Sequence, residues 1–141
     1  MISLKRLLYE YTDEQSQLDP SVKVIVTRKG DGFYSKISHM FSKHGEGFLD
    51  LDTRTIFIDG EEADNEGWTE DHYLFVQAHE IAHLRLGHTM DNRDETFTDY
   101  YAILYLAEKG HTGAAKLGIK QFKYRNGVTF KEYRKMVDAK K

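Results

Sequence analysis

Two imidazoles and a carboxylate stand close together in the segment His79-Glu80-Ile81-Ala82-His83. On an α-helix, positions four apart are separated by about 40° around the axis and about 6 Å along it, so both imidazoles reach one ion from the same face. Glu80 lies about 100° round from His79, outside that clamp but near enough to hold a water molecule beside it, the place of a general base. The chemistry that such spacing serves is metal-assisted hydrolysis. Phe75, Val76, Ala78, Ile81, Ala82 and Leu84 surround the three polar residues, and a carboxylate among apolar neighbours is costly to bury unless charge or metal lies beside it. A bound cation explains the group better than a chance pairing of core histidines.

A catalytic zinc ion takes three protein ligands and leaves a fourth position open. Gly87 stops the helix that carries the histidines, and the loop 88–93 lets the next helix double back, which puts Glu95 in its first turn near that end. Helix axes pack about 8–10 Å apart, a gap that a His and a Glu can bridge around one ion. The positive end of the helix dipole favours the ionised form of Glu95. Asp99, one turn further on, can accept a hydrogen bond from the free ring nitrogen of a ligating histidine and fix its tautomer; the alternative exchanges the roles of Glu95 and Asp99. His88 competes as a third ligand but lies past Gly87 and reads as a surface loop residue. His39, His44, His72 and His111 have no partner at ligand spacing.

Around this centre the elements read as follows. Leu4, Leu7, Leu8 and Tyr11 predict an amphipathic helix over 3–17, ending before the single proline, Pro20. Val22 to Thr27 reads as a strand, and Phe33 to His44 as either a short helix or a loop. Phe48 to Asp59 predicts two strands joined around Asp52-Thr53, with an open edge at Arg54 to Ile58 along which an extended peptide could pair. Glu61 to Gly67 reads as a solvated acidic loop. The histidine helix starts at Trp68 to Asp71 with Thr69 or Asp71 as its cap, a second runs from about Asp94 to Lys109 before Gly110, and two more follow, the last opened by a capping box of Thr129 and Glu132. The expectation is one α+β domain over 1–141.

Composition narrows the function classes. The chain has 20 basic and 23 acidic residues, a net charge of −3, which gives no sign excess to draw it onto nucleic acid or an anionic membrane. The Lys- and Arg-bearing stretch Lys116 to Lys141 reads as solvated helix surface. There is no cysteine, so any metal needs His and carboxylate ligands, and the composition suits a reducing cytoplasm. The longest apolar run, Tyr100 to Ala107, is far short of the roughly 20 residues that span a bilayer, and Met1 to Glu10 lacks a signal-peptide pattern.

The segments FVQAHEIAHLRLGH at 75–88 and ETFTDYYAILYLA at 95–107, with the strand pair from Phe48 to Asp59, resemble the ImmA/IrrE-type metallopeptidases of the wider gluzincin class. The resemblance implies a small zincin-like domain, a short antiparallel sheet packed on the central HExxH helix and further helices. It also implies Zn²⁺ held by His79, His83 and Glu95, Glu80 as catalytic carboxylate and Asp99 at the acidic position one turn after the third ligand. Thr98 stands where that family usually has Ala, and Leu104-Tyr105-Leu106-Ala107 replaces its Leu-Leu-x-Pro ending. By resemblance the expected role is a cytoplasmic peptidase of narrow specificity, acting on a regulatory protein such as a helix-turn-helix repressor of a phage or mobile element. The alternative is a metal-containing module that inactivates such a partner by binding without cutting. Tyr73, Tyr100 and Tyr101 are candidates for steadying the oxyanion.

Overall fold

A computed structural model describes residues 12–45, 47–88 and 94–141. Among them the chain is α+β, with a four-stranded mixed sheet and six helices. It divides into two compact units, Met1–Trp68 and Thr69–Lys141.

The first unit holds β1 (Thr12–Gln15), β2 (Lys23–Thr27), α1 (Tyr34–His44), β3 (Gly47–Asp50), β4 (Thr55–Asp59) and α2 (Gly60–Glu66). The sheet order is β1-β2-β4-β3, with β2 and β4 parallel and the other pairs antiparallel. Side chains alternate across a strand: Val24, Val26, Ile56 and Ile58 are buried, and Phe57 stacks on Phe48, across from it, with ring centroids 5.1 Å apart. The expected hairpin is present, and Asp50 stabilises its turn by accepting from the Asp52 amide at 3.2 Å and the Thr53 hydroxyl at 3.0 Å.

Four expectations for this unit are corrected. The sheet is mixed rather than antiparallel. Because β4 is paired on both sides, Arg54 to Ile58 offers no open edge. Thr12–Gln15 is a strand paired with β2 rather than the end of a helix; the rest of that expected helix, up to residue 11, lies outside the described residues. The acidic segment is a helix, because Asp59 caps it, accepting from the amides of Glu61 at 3.1 Å and Glu62 at 3.3 Å, and Gly67 closes it at φ 66°. Gly60 opens this helix where a Cβ would lie 2.6 Å from Arg28 Cγ and 3.0 Å from the Thr27 carbonyl oxygen, so α2 can sit against the end of β2 only without a side chain there. Phe33 to His44, left open by the sequence, resolves as α1.

The second unit is helical: α3 (Glu70–Arg85), α4 (Glu95–Glu108), α5 (Thr112–Asn126) and α6 (Phe130–Ala139). Thr69 caps α3, accepting from the His72 amide at 3.4 Å, and Glu70 and Asp71 oppose the dipole in the first turn. Leu74, Phe75, Ala78, Ile81 and Ala82 of α3 are buried, as are Ala102, Ile103 and Leu106 of α4 and Ala114, Ala115 and Phe122 of α5. At Gly118 a Cβ would stand 2.7 Å from Ile103 Cγ1 and 2.8 Å from Phe75 Cε1; its absence lets α5 approach both neighbours. The capping box of Thr129 and Glu132 opens α6 as expected. No helix among the described residues is long and apolar enough to cross a membrane.

Candidate metal centre

Every residue of the candidate site lies in the second unit. His79 and His83 stand one turn apart on α3, 7% and 3% exposed, with Nε2 atoms 3.1 Å from each other. Asp94 caps α4 by accepting from the Phe97 amide at 3.0 Å, which sets Glu95 as the first helical residue. The Glu95 carboxylate reaches both imidazoles, Oε2 lying 2.9 Å from His79 Nε2 and Oε1 3.2 Å from His83 Nε2. The three side chains named from the sequence therefore converge on one point. Residues 89–93, between these helices in the sequence, lie outside the described residues.

On the far side of His79, Nδ1 is 2.6 Å from Asp99 Oδ1. Asp99 is 1% exposed, and its charge is satisfied from α5: Arg125 donates through Nε to Oδ2 at 2.8 Å and through a terminal nitrogen to Oδ1 at 3.2 Å, while Asn126 donates to Oδ2 at 2.9 Å. Arg125 also lies over the Phe75 ring, 5.4 Å from its centroid. Asp99 faces the outer nitrogen of one histidine, and Glu95 faces the inner nitrogens of both.

Burial pulls the His79 imidazole toward lower pKa, but hydrogen bonds to Asp99 and Glu95, with the charges of Glu80 and Asp99, more than offset it and hold it up at about 9. Hydrogen bonds from His79 and His83 keep the Glu95 carboxyl far below the usual range against the opposing effect of its partial burial. For Asp99 desolvation pushes upward, and His79 and Arg125 overcome it to bring it down to about 2. Without metal, the centre is a buried imidazolium held between two carboxylates.

The donor set also fits a divalent cation. Zinc bonds of about 2.0–2.1 Å in tetrahedral array put donor atoms roughly 3.3 Å apart, close to the 3.1, 2.9 and 3.2 Å separations among His79, His83 and Glu95. Glu80, 6% exposed, has a carboxylate oxygen within 4.8 Å of the ring nitrogens, so that His79, Glu80 and His83 form a second grouping able to hold an ion. Both carboxylates stand within reach of the two imidazoles: Glu95 contacts both Nε2 atoms directly, and Glu80 lies beside them on α3.

Three residues were missed or misjudged by sequence reasoning. His88, expected at the surface, is half-buried, with its Nδ1 2.9 Å from His83 Nδ1. Gly87 just before it was a usable signal. Arg125 and Asn126, read as solvated surface, hold Asp99 from 26 and 27 residues away, and no local pattern announces such a contact. Of the candidate oxyanion groups, Tyr100 is buried in an aromatic cluster, 5.4 Å from both the Phe130 and Tyr133 rings, and Tyr101 stacks on Tyr105 at 6.4 Å. No family model matches the chain, and neither the curated proteins nor the solved structures contain a match.

Proposed function

We propose that this chain is a zinc-dependent peptidase of the ImmA/IrrE type with a zincin-like catalytic unit. The observation that carries the reading is the Glu95 carboxylate lying against both inner histidine nitrogens while Asp99 takes the outer nitrogen of His79. Two imidazoles and one carboxylate, braced from behind, make the donor set of a catalytic rather than a purely structural zinc site, because one coordination position is left open.

His79, His83 and Glu95 would hold the ion. When bound, it supplies Lewis acidity toward a peptide carbonyl and toward water. Glu80, one residue from His79 on the buried helix, accepts the proton from the attacking water at its carboxylate and returns it to the leaving amine. Asp99 keeps the His79 proton on Nδ1, so that the Nε2 lone pair faces inward. Arg125 and Asn126 keep Asp99 ionised in that position.

The substrate class follows from the resemblance: a regulatory protein such as a helix-turn-helix repressor, cut in the cytoplasm. Glu80→Gln tests the chemistry. It should keep the wild-type zinc content while peptide hydrolysis falls about 10²–10⁴-fold. A Glu80→Gln protein that still inactivates its partner as the wild type does would transfer the reading to inactivation by binding alone.

A further inference from the structure

The turn that stops α3 also decides which side chain stands behind His83. Leu86 caps the helix, Gly87 follows at φ 68°, and the chain runs on to His88. The His88 amide donates to the His83 carbonyl at 3.0 Å and the Gly87 amide to the Leu84 carbonyl at 3.2 Å, the paired bonds of a Schellman motif. That motif folds the residue after the glycine back onto the last turn, usually to make an apolar contact. Here both positions are histidine and the contact is polar, with the two Nδ1 atoms 2.9 Å apart and the ring centroids 5.2 Å apart. From α4, Thr98 Oγ1 lies 3.4 Å from the same His88 nitrogen, and its own proton is directed to the Asp94 carbonyl at 2.6 Å.

Two ring nitrogens at that distance share one proton, so one donates and the other accepts. When His83 turns the lone pair of Nε2 inward, its proton is on Nδ1 and His88 Nδ1 accepts it. We propose that His88 is a positioning residue for His83, fixing the tautomer and ring direction of the second ligand as Asp99 fixes those of the first. The proposal rests on the reading of this centre as a zinc site. The two braces differ in kind: Asp99 is a charged acceptor and His88 a neutral one, so His83 is the less strongly polarised ligand.

The test is zinc affinity, measured by competition with a chromophoric chelator, for wild type, His88→Ala and His88→Asn. His88→Ala should weaken zinc about 10–100-fold, and His88→Asn, whose amide oxygen falls near the place of Nδ1, should return to within about threefold of wild type. Cobalt(II)-loaded wild type and His88→Asn should share one visible spectrum. Equal affinity in wild type and His88→Ala overturns the proposal and leaves the zinc reading standing. A His88→Asn variant as weak as His88→Ala, with a cobalt spectrum shifted toward fewer ligands, makes His88 a ligand itself and also overturns it. A wild type that binds no zinc overturns both. Should His88→Ala fail to fold, long-range ¹⁵N–¹H correlations of zinc-loaded wild type decide: the proposal requires the proton on Nδ1 of His83 and on Nε2 of His88, and the opposite pair contradicts it.

Discussion

The two units of the chain bury polar groups in different ways. Among the described residues of Met1–Trp68 the buried polar side chains bond locally: Thr27 donates to Asp31 at 2.8 Å, Asp31 accepts from the Phe33 amide at 2.9 Å, Thr55 donates to the Thr53 carbonyl at 3.2 Å and Ser16 accepts from the Leu18 amide at 3.2 Å. Its prominent ion pair, half-buried Arg28 with exposed Asp64 at 2.8 Å, lies at the surface, and such pairs add little to stability. In Thr69–Lys141 the buried polar residues include His79, Glu80, His83 and Asp99, and contacts that cross from α3 to α4 and from α4 to α5 hold His79, His83 and Asp99. Burying several ionisable groups among apolar helices is costly without a compensating charge or ion. The first unit is built as its apolar pattern directs, and the second keeps an arrangement that stability alone does not demand.

The strongest way to break this contrast is to remove the charge at the centre of the second unit. Asp99→Ala leaves His79, Arg125 and Asn126 without their common acceptor and should destabilise the metal-free protein by about 3–5 kcal/mol, read from denaturant unfolding. Removing Asp31 from the first unit, where the partners are a hydroxyl and an amide, should cost only about 1–3 kcal/mol.

The pH response sharpens the same contrast. In the metal-free fold His79 titrates at about 9, above the 6.5 of an unperturbed imidazole. The folded chain therefore holds that proton more tightly than the unfolded one. This stabilisation is complete below pH 6.5 and is lost as pH rises through 9, a decline of about 3 kcal/mol in urea melts. Zinc requires the same site to be deprotonated, so its affinity should rise over that interval and its binding should release protons. On the acid side, stability from Asp99 is present above the usual carboxylate range and disappears as pH falls through about 2.

A smaller effect separates packing in the two units. Gly118→Ala drives a methyl group into Ile103 and Phe75 and should lower stability by about 1–3 kcal/mol. Gly32→Ala, with nothing within 4 Å of the added atom, should move the melting curve by less than about 0.5 kcal/mol. Similar losses at both positions would remove the case for close helix packing at α5.

Much of the second unit was legible from sequence because its signals are local. Thr69, Gly87, Asp94 and Gly110 mark helix ends through caps and left-handed turns, and four-residue spacing places two histidines on one face. The convergence of Glu95 followed from a short connection between two helices. What stayed hidden depends on partners distant in sequence or on turn chemistry left unused. Arg125 meets Asp99 only after α5 packs on α4. His88 was within reach, since a glycine at 87 directs the next residue back to His83. In the first unit, Glu61 to Gly67 read as a loop because charge was weighed over the Asp59 cap, and the parallel pairing of β2 with β4 leaves no mark in either strand.

The most direct measurement is zinc content by mass spectrometry of purified wild type beside His83→Ala, with folding of both checked by circular dichroism. The account predicts about one zinc per wild-type chain and close to none in the variant. The same metal content in the two proteins would contradict it.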